Sequence, residues 1–136
     1  MIDKIHVKEQ LKVKQLNARG WNLTWSGGGY DHYDAIGETC TGKKCVLEFK
    51  FRNDSYKTKM IEVYKYDKLL EMYDYEVFYL VSEQYFDYIF DLKDLTNLKI
   101  QKLQCPITTL WKNQMITKEV YLLNASDAET ILTTLW

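Results

Sequence analysis

The chain is poor in residues that interrupt or cross-link a backbone. Its 136 residues include one Pro, six Gly and three Cys, which excludes a collagenous or Pro-rich chain and a disulfide-dense scaffold. An odd number of thiols cannot all pair, and no cluster of His and Cys with structural-zinc spacing accompanies them. Cys40, Cys45 and Cys105 are therefore expected as free thiols in a reducing cytoplasm. No apolar run approaches the roughly 20 residues needed to span a bilayer, and the N-terminus alternates Lys with apolar residues instead of presenting a signal-peptide core. A membrane partner is not expected. The run Gly27-Gly28-Gly29 is not followed by Gly-Lys-Ser/Thr, and there is no dinucleotide fingerprint, Gly-x-Ser-x-Gly elbow or Cys/His nucleophile pair.

What is present suits one globular domain over residues 1–136: 46% hydrophobic, 27% charged and 15% aromatic residues, with no internal repeat, low-complexity tract or flexible linker. The formal net charge of -1 conceals a separation. Lys43 to Lys68 contains eight basic residues against four acidic ones, and Glu71 to Asp91 holds six acidic residues and no Lys or Arg. One stretch is locally cationic and the next anionic, so the overall charge does not exclude a polyanionic partner.

The pattern predicts a helix over Val7 to Ala18, stopped at Gly20, with Leu11, Ala18 and Val7 on one face and Leu16 near its edge. Strands follow at Trp21 to Trp25, Tyr33 to Gly37 and Lys44 to Arg52, with a turn at Thr39 to Lys43. In the third strand Leu47, Phe49 and Phe51 face one side, and Val46, Glu48, Lys50 and Arg52 the other. A helix is predicted over Thr58 to Met72, then strands at Glu76 to Ser82 and Tyr85 to Phe90. Beyond a turn at Leu92 to Leu95, strands near Lys99 to Gln104 and Ile116 to Leu123 and a final helix from Ser126 complete the reading. The fold class is α/β (α+β), a central mixed sheet flanked by helices in the order α-β-β-β-α-β, with a C-terminal extension.

Glu48-Phe49-Lys50 places a carboxylate and an ammonium two residues apart on one strand face. A hairpin turning near Thr41 would set Asp34 roughly opposite Glu48. Two neighbouring carboxylates repel unless a cation, a proton or positive side chains offset them, and hard oxygen ligands suit Mg²⁺. Such an ion could polarise a phosphoryl oxygen and acidify a water. Lys50 would then orient or deprotonate that water or stabilise charge on the phosphate. A second acidic-x-Lys run, Asp91-Leu92-Lys93, has more acidic surroundings, with Asp94 close behind. His32 also lies close to this region in sequence.

Asp34 followed by Glu48-Phe49-Lys50 in consecutive strands after an N-terminal helix resembles the PD-(D/E)XK nuclease superfamily, which includes restriction endonucleases, Holliday-junction resolvases and many phage nucleases. The resemblance covers about Val7 to Ser82 and implies a restriction-endonuclease-like core. It implies a metal site of Asp34, Glu48 and the Phe49 carbonyl, filled by Mg²⁺ with Mn²⁺ able to substitute. Glu9, eleven residues before Gly20-Trp21, would help bind metal or water, and Lys50 would serve the hydrolytic step. Glu62, Lys65 and Tyr66 on the following helix are candidate accessory groups. Tyr33 stands where the family often has Pro.

The implied activity is metal-dependent hydrolysis of DNA, with RNA as an alternative partner. Arg52, Lys57, Lys59 and Lys65 are expected on backbone phosphates. Tyrosines such as Tyr64, Tyr73 and Tyr79 could stack on bases, although most are expected in the core. So small a chain covers limited DNA surface, which makes a homodimer plausible. The competing expectation is a catalytically silent nucleic-acid-binding or protein-interaction module of the same fold.

Overall fold

The structure is a computed structural model that describes residues 4–27, 32–106 and 115–135. Gly28 and Gly29 of the glycine run noted above, and the Thr108-Thr109 pair expected from the sequence as a loop near substrate or a closing segment of the fold, lie outside the described residues. The element order is α1 (Lys4–Ala18), β1 (Asn22–Trp25), β2 (Ala35–Glu38), β3 (Lys44–Phe51), β4 (Thr58–Glu62), α2 (Val63–Leu70), β5 (Glu76–Ser82), β6 (Phe86–Asp91), β7 (Gln101–Pro106), β8 (Met115–Asn124), a 3₁₀ turn (Ala125–Asp127) and β9 (Thr130–Thr133). Among the described residues no helix is long and apolar enough to cross a membrane.

Helix α1 runs through a segment free of Gly and Pro and ends where a left-handed residue is required. Gly20 has φ +100°, and the Gly20 and Trp21 amides donate back to the Asn17 and Leu16 carbonyls at 3.1 and 3.2 Å, a Schellman closure that only Gly makes without strain. Asn17 then clamps helix to sheet: its side-chain oxygen accepts from the Leu23 amide at 2.8 Å and its amide donates to the Leu23 carbonyl at 3.0 Å.

The buried face of α1 differs from the one expected. Glu9, Lys12, Val13 and Leu16 point inward, whereas Val7 and Leu11 are 40% and 41% exposed. Half of the inward stripe is charged, so apolar periodicity misreads it. Glu9 and Lys12 can be buried because each finds a partner: Trp25 Nε1 donates to Glu9 at 3.0 Å, and Lys12 Nζ donates to Asp87 at 2.6 Å.

Six strands form the main sheet in the order β1-β2-β3-β5-β6-β9. All pairings are antiparallel except β3 with β5, which is parallel and so needs a long crossover. Alternation along the two central strands divides the interior. Leu47, Phe49, Phe78 and Leu80 pack against Val13 and Leu16 of α1 on one face; Val46, Val77, Tyr79 and Val81 pack against Ile61, Leu69 and Leu123 on the other. A fully buried Leu or Val contributes roughly 1.5–3 kcal/mol, so these central strands anchor the fold. At Gly37 in β2 a Cβ would stand 2.0 Å from the Asn22 carbonyl oxygen of β1, so the close approach of these strands requires Gly.

The crossover contains the first topological correction. Thr58 to Met72 is not one helix: Thr58–Glu62 is β4, paired with β8 from Thr58↔Asn124 to Glu62↔Val120, and α2 is confined to Val63–Leu70. With β7 on its far side, β8 completes a three-stranded sheet β4-β8-β7. The second correction is at the C-terminus, where the helix expected from Ser126 is a single 3₁₀ turn followed by β9. Its Thr-Ile-Leu-Thr sequence favours extended backbone, and pairing with β6 decides the matter.

Candidate active site

The site is built where β2 leaves β3. Their register ends at Ala35↔Leu47, and one step further would put Asp34 opposite Glu48. The Asp34 amide still donates to the Leu47 carbonyl at 2.8 Å, but the next free amide of β3, that of Phe49, is taken by the Asp34 side chain, whose Oδ2 accepts it at 2.8 Å. The aspartate thus satisfies a main-chain donor that the departing strand leaves unpaired, and its carboxylate is fixed beside Glu48.

The opened strand edge borders a cleft of about 500 Å³ lined by Glu9, Asp34, Glu48, Phe49, Lys50 and Lys65, with Lys4, Lys8 and Asn53 at its walls. Glu48 is held well above the ordinary carboxylate range, at about 8, chiefly by burial and then by the Asp34 charge; Lys65 opposes the shift. Burial raises Asp34 as well, against the pull of the Phe49 amide and the Lys65 charge. Glu9 is raised by burial despite the bond from Trp25, and the Asp34 charge adds to the rise. Three carboxyl groups therefore occupy one partly desolvated region without enough positive charge to ionise all of them freely.

The positive groups come from two elements. Lys65 of α2 approaches Glu48 Oε1 at 3.6 Å. Lys50 emerges from β3 into the cleft, and its pKa is lowered by burial of the ammonium and by the Lys65 and Arg52 charges, with Glu62 and Glu48 opposing. A lysine shifted downward is easier to deprotonate than an unperturbed one, which suits proton transfer as well as electrostatic support.

Several expected contributors stand elsewhere. Lys59 is 1% exposed and is no phosphate contact: Nζ donates to Glu83 at 2.6 Å and to the Tyr56 carbonyl, 4.2 Å above the Tyr88 ring centroid. The reason is β4, which points this lysine into the interior. Tyr66 is likewise not at the carboxylates, since its hydroxyl donates to the Leu92 carbonyl at 3.3 Å and its ring meets Tyr121 edge-on in the second core. Arg52 lies 5.0 Å from the Tyr56 ring centroid with Nε and Nη2 buried, leaving at most one guanidinium nitrogen for solvent. Glu62 pairs with Lys118 at 3.0 Å. Lys57 and His32 are exposed and outside the cleft lining. Tyr79 is buried, its hydroxyl donating to the Met60 carbonyl at 2.7 Å, whereas Tyr64 and Tyr73 are 63% and 82% exposed.

The competing Asp91-Leu92-Lys93 run is structural: Lys93 Nζ donates to the carbonyls of Met72, Tyr73 and Tyr75 at 3.2, 3.1 and 2.5 Å. Cys40 and Cys45 are free thiols. Cys45 is raised to about 12, by burial first and by the Glu38 and Glu76 charges, which makes it unreactive. Lys4, Lys8 and Asn53 are cleft residues absent from the expectation. Lys4 and Lys8 are four residues apart on the same helix as Glu9, a spacing that places them along one helical face.

The donor set fits a hard divalent ion. Asp34 and Glu48 supply carboxylate oxygen beside a region of excess negative charge, and Phe49 supplies a carbonyl. Among the described residues no group of three or more His, Cys, Asp or Glu is gathered closely enough to hold an ion by itself. The ligands would be two carboxylates completed by main chain, water and substrate, which is how Mg²⁺ usually binds. Glu9, tied to Trp25, would act at the margin of that set.

No family model matches the chain, and no curated protein matches it. Among solved structures it is similar to Hjc of Archaeoglobus fulgidus, a Holliday junction resolvase from an archaeal hyperthermophile, with a TM-score of 0.59 and 12% identity, over 92% of this chain and 87% of that chain. The likeness reaches beyond the expected core into the C-terminal strands. The chain thus shares its fold with this Holliday junction resolvase.

Proposed function

We propose that the protein is a Mg²⁺-dependent nuclease that hydrolyses DNA phosphodiester bonds. The observation that carries this reading is the meeting of Asp34 and Glu48, from two strands that part at that point, with Lys50 and Lys65 in one open cleft. The resolvase-like fold supports the same activity, and Mn²⁺ should substitute for Mg²⁺.

The ion, held by Asp34, Glu48 and the Phe49 carbonyl, would supply Lewis acidity toward a phosphoryl oxygen and a water. The remaining work belongs to side chains. Lys50, with its lowered pKa, takes up a proton from the attacking water or stabilises the charge gathering on phosphorus oxygens. Glu9 and its Trp25 bond hold the wall of the cleft nearest Asp34, where the carboxyl orients water. Lys4, Lys8 and Lys65 give the cleft mouth the positive charge that draws in a phosphate backbone.

The test is incubation with Mg²⁺ of duplex, single-stranded and four-way-junction DNA, and of RNA, against EDTA and against Asp34→Asn and Lys50→Ala proteins. Cleavage that needs the ion and both residues is expected. Intact nucleic acid in every lane, with either Mg²⁺ or Mn²⁺, rejects the enzyme.

A further inference from the structure

Lys65 is the nearest charged partner of Glu48, yet its position is unlike that of the buried lysines. Its Nζ stands 3.6 Å from Glu48 Oε1, and its side chain is 49% exposed against 13% for the glutamate. Lys12 and Lys59, by contrast, meet their carboxylates at 2.6 Å with almost no exposure. Lys65 is held loosely at the mouth of the cleft, on a helix of eight residues, by a carboxylate that also faces Asp34. With half of its side chain exposed, the ammonium has solvent to swing into.

Building on the nuclease reading, we propose that Lys65 is the resident counter-ion of the site: a divalent ion arriving at Glu48 displaces it, and the freed ammonium then grips a phosphate of the nucleic acid. The physical argument is competition followed by reuse. Glu48 and Asp34 need positive charge, and in the absence of an ion the lysine provides it. A dication between the carboxylates both satisfies them and repels an ammonium beside them. The lysine cannot leave for the interior, where Tyr66, Leu69 and Leu70 of the same helix are packed. It moves toward the open side, where a phosphate would lie. Metal and nucleic acid then bind cooperatively, because each removes a competitor or supplies a partner for the other.

The experiment measures binding, not turnover. Calorimetry gives the affinity of the protein for Ca²⁺ alone, and fluorescence anisotropy gives the affinity for a labelled DNA with and without Ca²⁺, a gel verifying that the DNA stays intact. In the wild type, Ca²⁺ should tighten DNA binding about tenfold, within the usual range of coupling between sites. In Lys65→Met, Ca²⁺ alone should bind several-fold more tightly than in the wild type, and its enhancement of DNA binding should shrink below about threefold. Lys65→Arg should keep the coupling, and Lys14→Met, which removes an exposed charge from α1, should leave it unchanged.

Unaltered or weaker Ca²⁺ binding in Lys65→Met, or full coupling in that variant, overturns the counter-ion role while the nuclease reading stands. Equal loss of coupling in Lys14→Met points to general charge and overturns it too. Absence of any Ca²⁺ binding that depends on Asp34 and Glu48 removes both readings together.

Discussion

Two regions of this molecule bury charge, on opposite terms. On the β5-β6 side, Lys12 meets Asp87 and Lys59 meets Glu83, each at 2.6 Å with side chains no more than 5% exposed. Asp87 also accepts from the Ser82 and Thr134 hydroxyls at 2.6 and 2.8 Å. At the open edge of β3, by contrast, Glu9, Asp34 and Glu48 crowd together, with Lys65 at 3.6 Å from Glu48, the Phe49 amide on Asp34 and the Trp25 indole on Glu9. The first arrangement matches each carboxylate to a lysine in the interior, with Glu83 Oε2 buried and without a hydrogen bond, and the second gathers three carboxyl groups at the mouth of a cleft. Buried charge alone therefore does not distinguish the proposed site; unbalanced charge facing an opening does.

The contrast is tested most severely by activity. Asp34→Asn, Glu48→Gln and Lys50→Ala are each expected to reduce cleavage by about a thousandfold or more, some 4 kcal/mol in barrier, with folding intact by circular dichroism. Lys59→Met, corrected for the folded fraction, should cleave normally. Loss of chemistry in the Lys59 variant at full folding would erase the distinction.

Stability reverses the ranking. Removing one partner of a buried pair leaves the other charge stranded, so Lys59→Met should cost about 3–5 kcal/mol in urea unfolding, and adding Glu83→Leu should recover most of that loss. Recovery of nothing would show that the pair is not an independent unit.

A third effect is expected in pH. Glu48 titrates at about 8 in the folded chain and near the ordinary value when unfolded, so the folded state binds its proton more tightly. The associated stability is full below about pH 4.5 and is lost as pH rises toward 8. In EDTA, unfolding free energy should fall by roughly 2 kcal/mol between pH 5.5 and 8, since one unit corresponds to about 1.4 kcal/mol and part of the shift belongs to its neighbours. Glu48→Gln should flatten the profile, and Mg²⁺ should restore wild-type stability at pH 8. A profile rising with pH in EDTA would mean that the carboxylates are not short of positive charge. The smallest effect is expected at Lys118, whose pair with Glu62 is part-exposed: Lys118→Gln should shift stability by less than about 1 kcal/mol.

Much of this was legible in residue order, wherever local pattern and final structure agree. Strands β1, β2, β3, β5 and β6 follow from alternation and from the turn at Thr39 to Lys43, where Gly42 has φ +84°. The hairpin that sets Asp34 near Glu48 follows from the same turn. What escaped depends on distant partners. Thr58 to Glu62 carries no strong strand signal and becomes β4 because β8, some sixty residues later, supplies its hydrogen bonds. Lys59 reads as a surface cation, and only that pairing turns it inward to Glu83. Lys12 and Glu9 invert the expected face of α1 for a similar reason, each partner lying on a strand that the helix covers. The acidic stretch from Glu71 to Asp91 draws these two lysines into the interior, so its apparent anionic character is partly cancelled by residues remote in sequence.

The tight crossing of β1 and β2 at Gly37 has a consequence beyond local sterics. Neighbouring side chains along a ribbon point to opposite sides, so slippage of β2 by one position would carry Tyr33 to the rendezvous with Glu48 and turn the aspartate away. The collision awaiting any methyl group at position 37 makes that glycine a remote guardian of alignment. A lesion there would leave every acidic residue in the sequence untouched and still draw the two carboxylates of the proposed site apart.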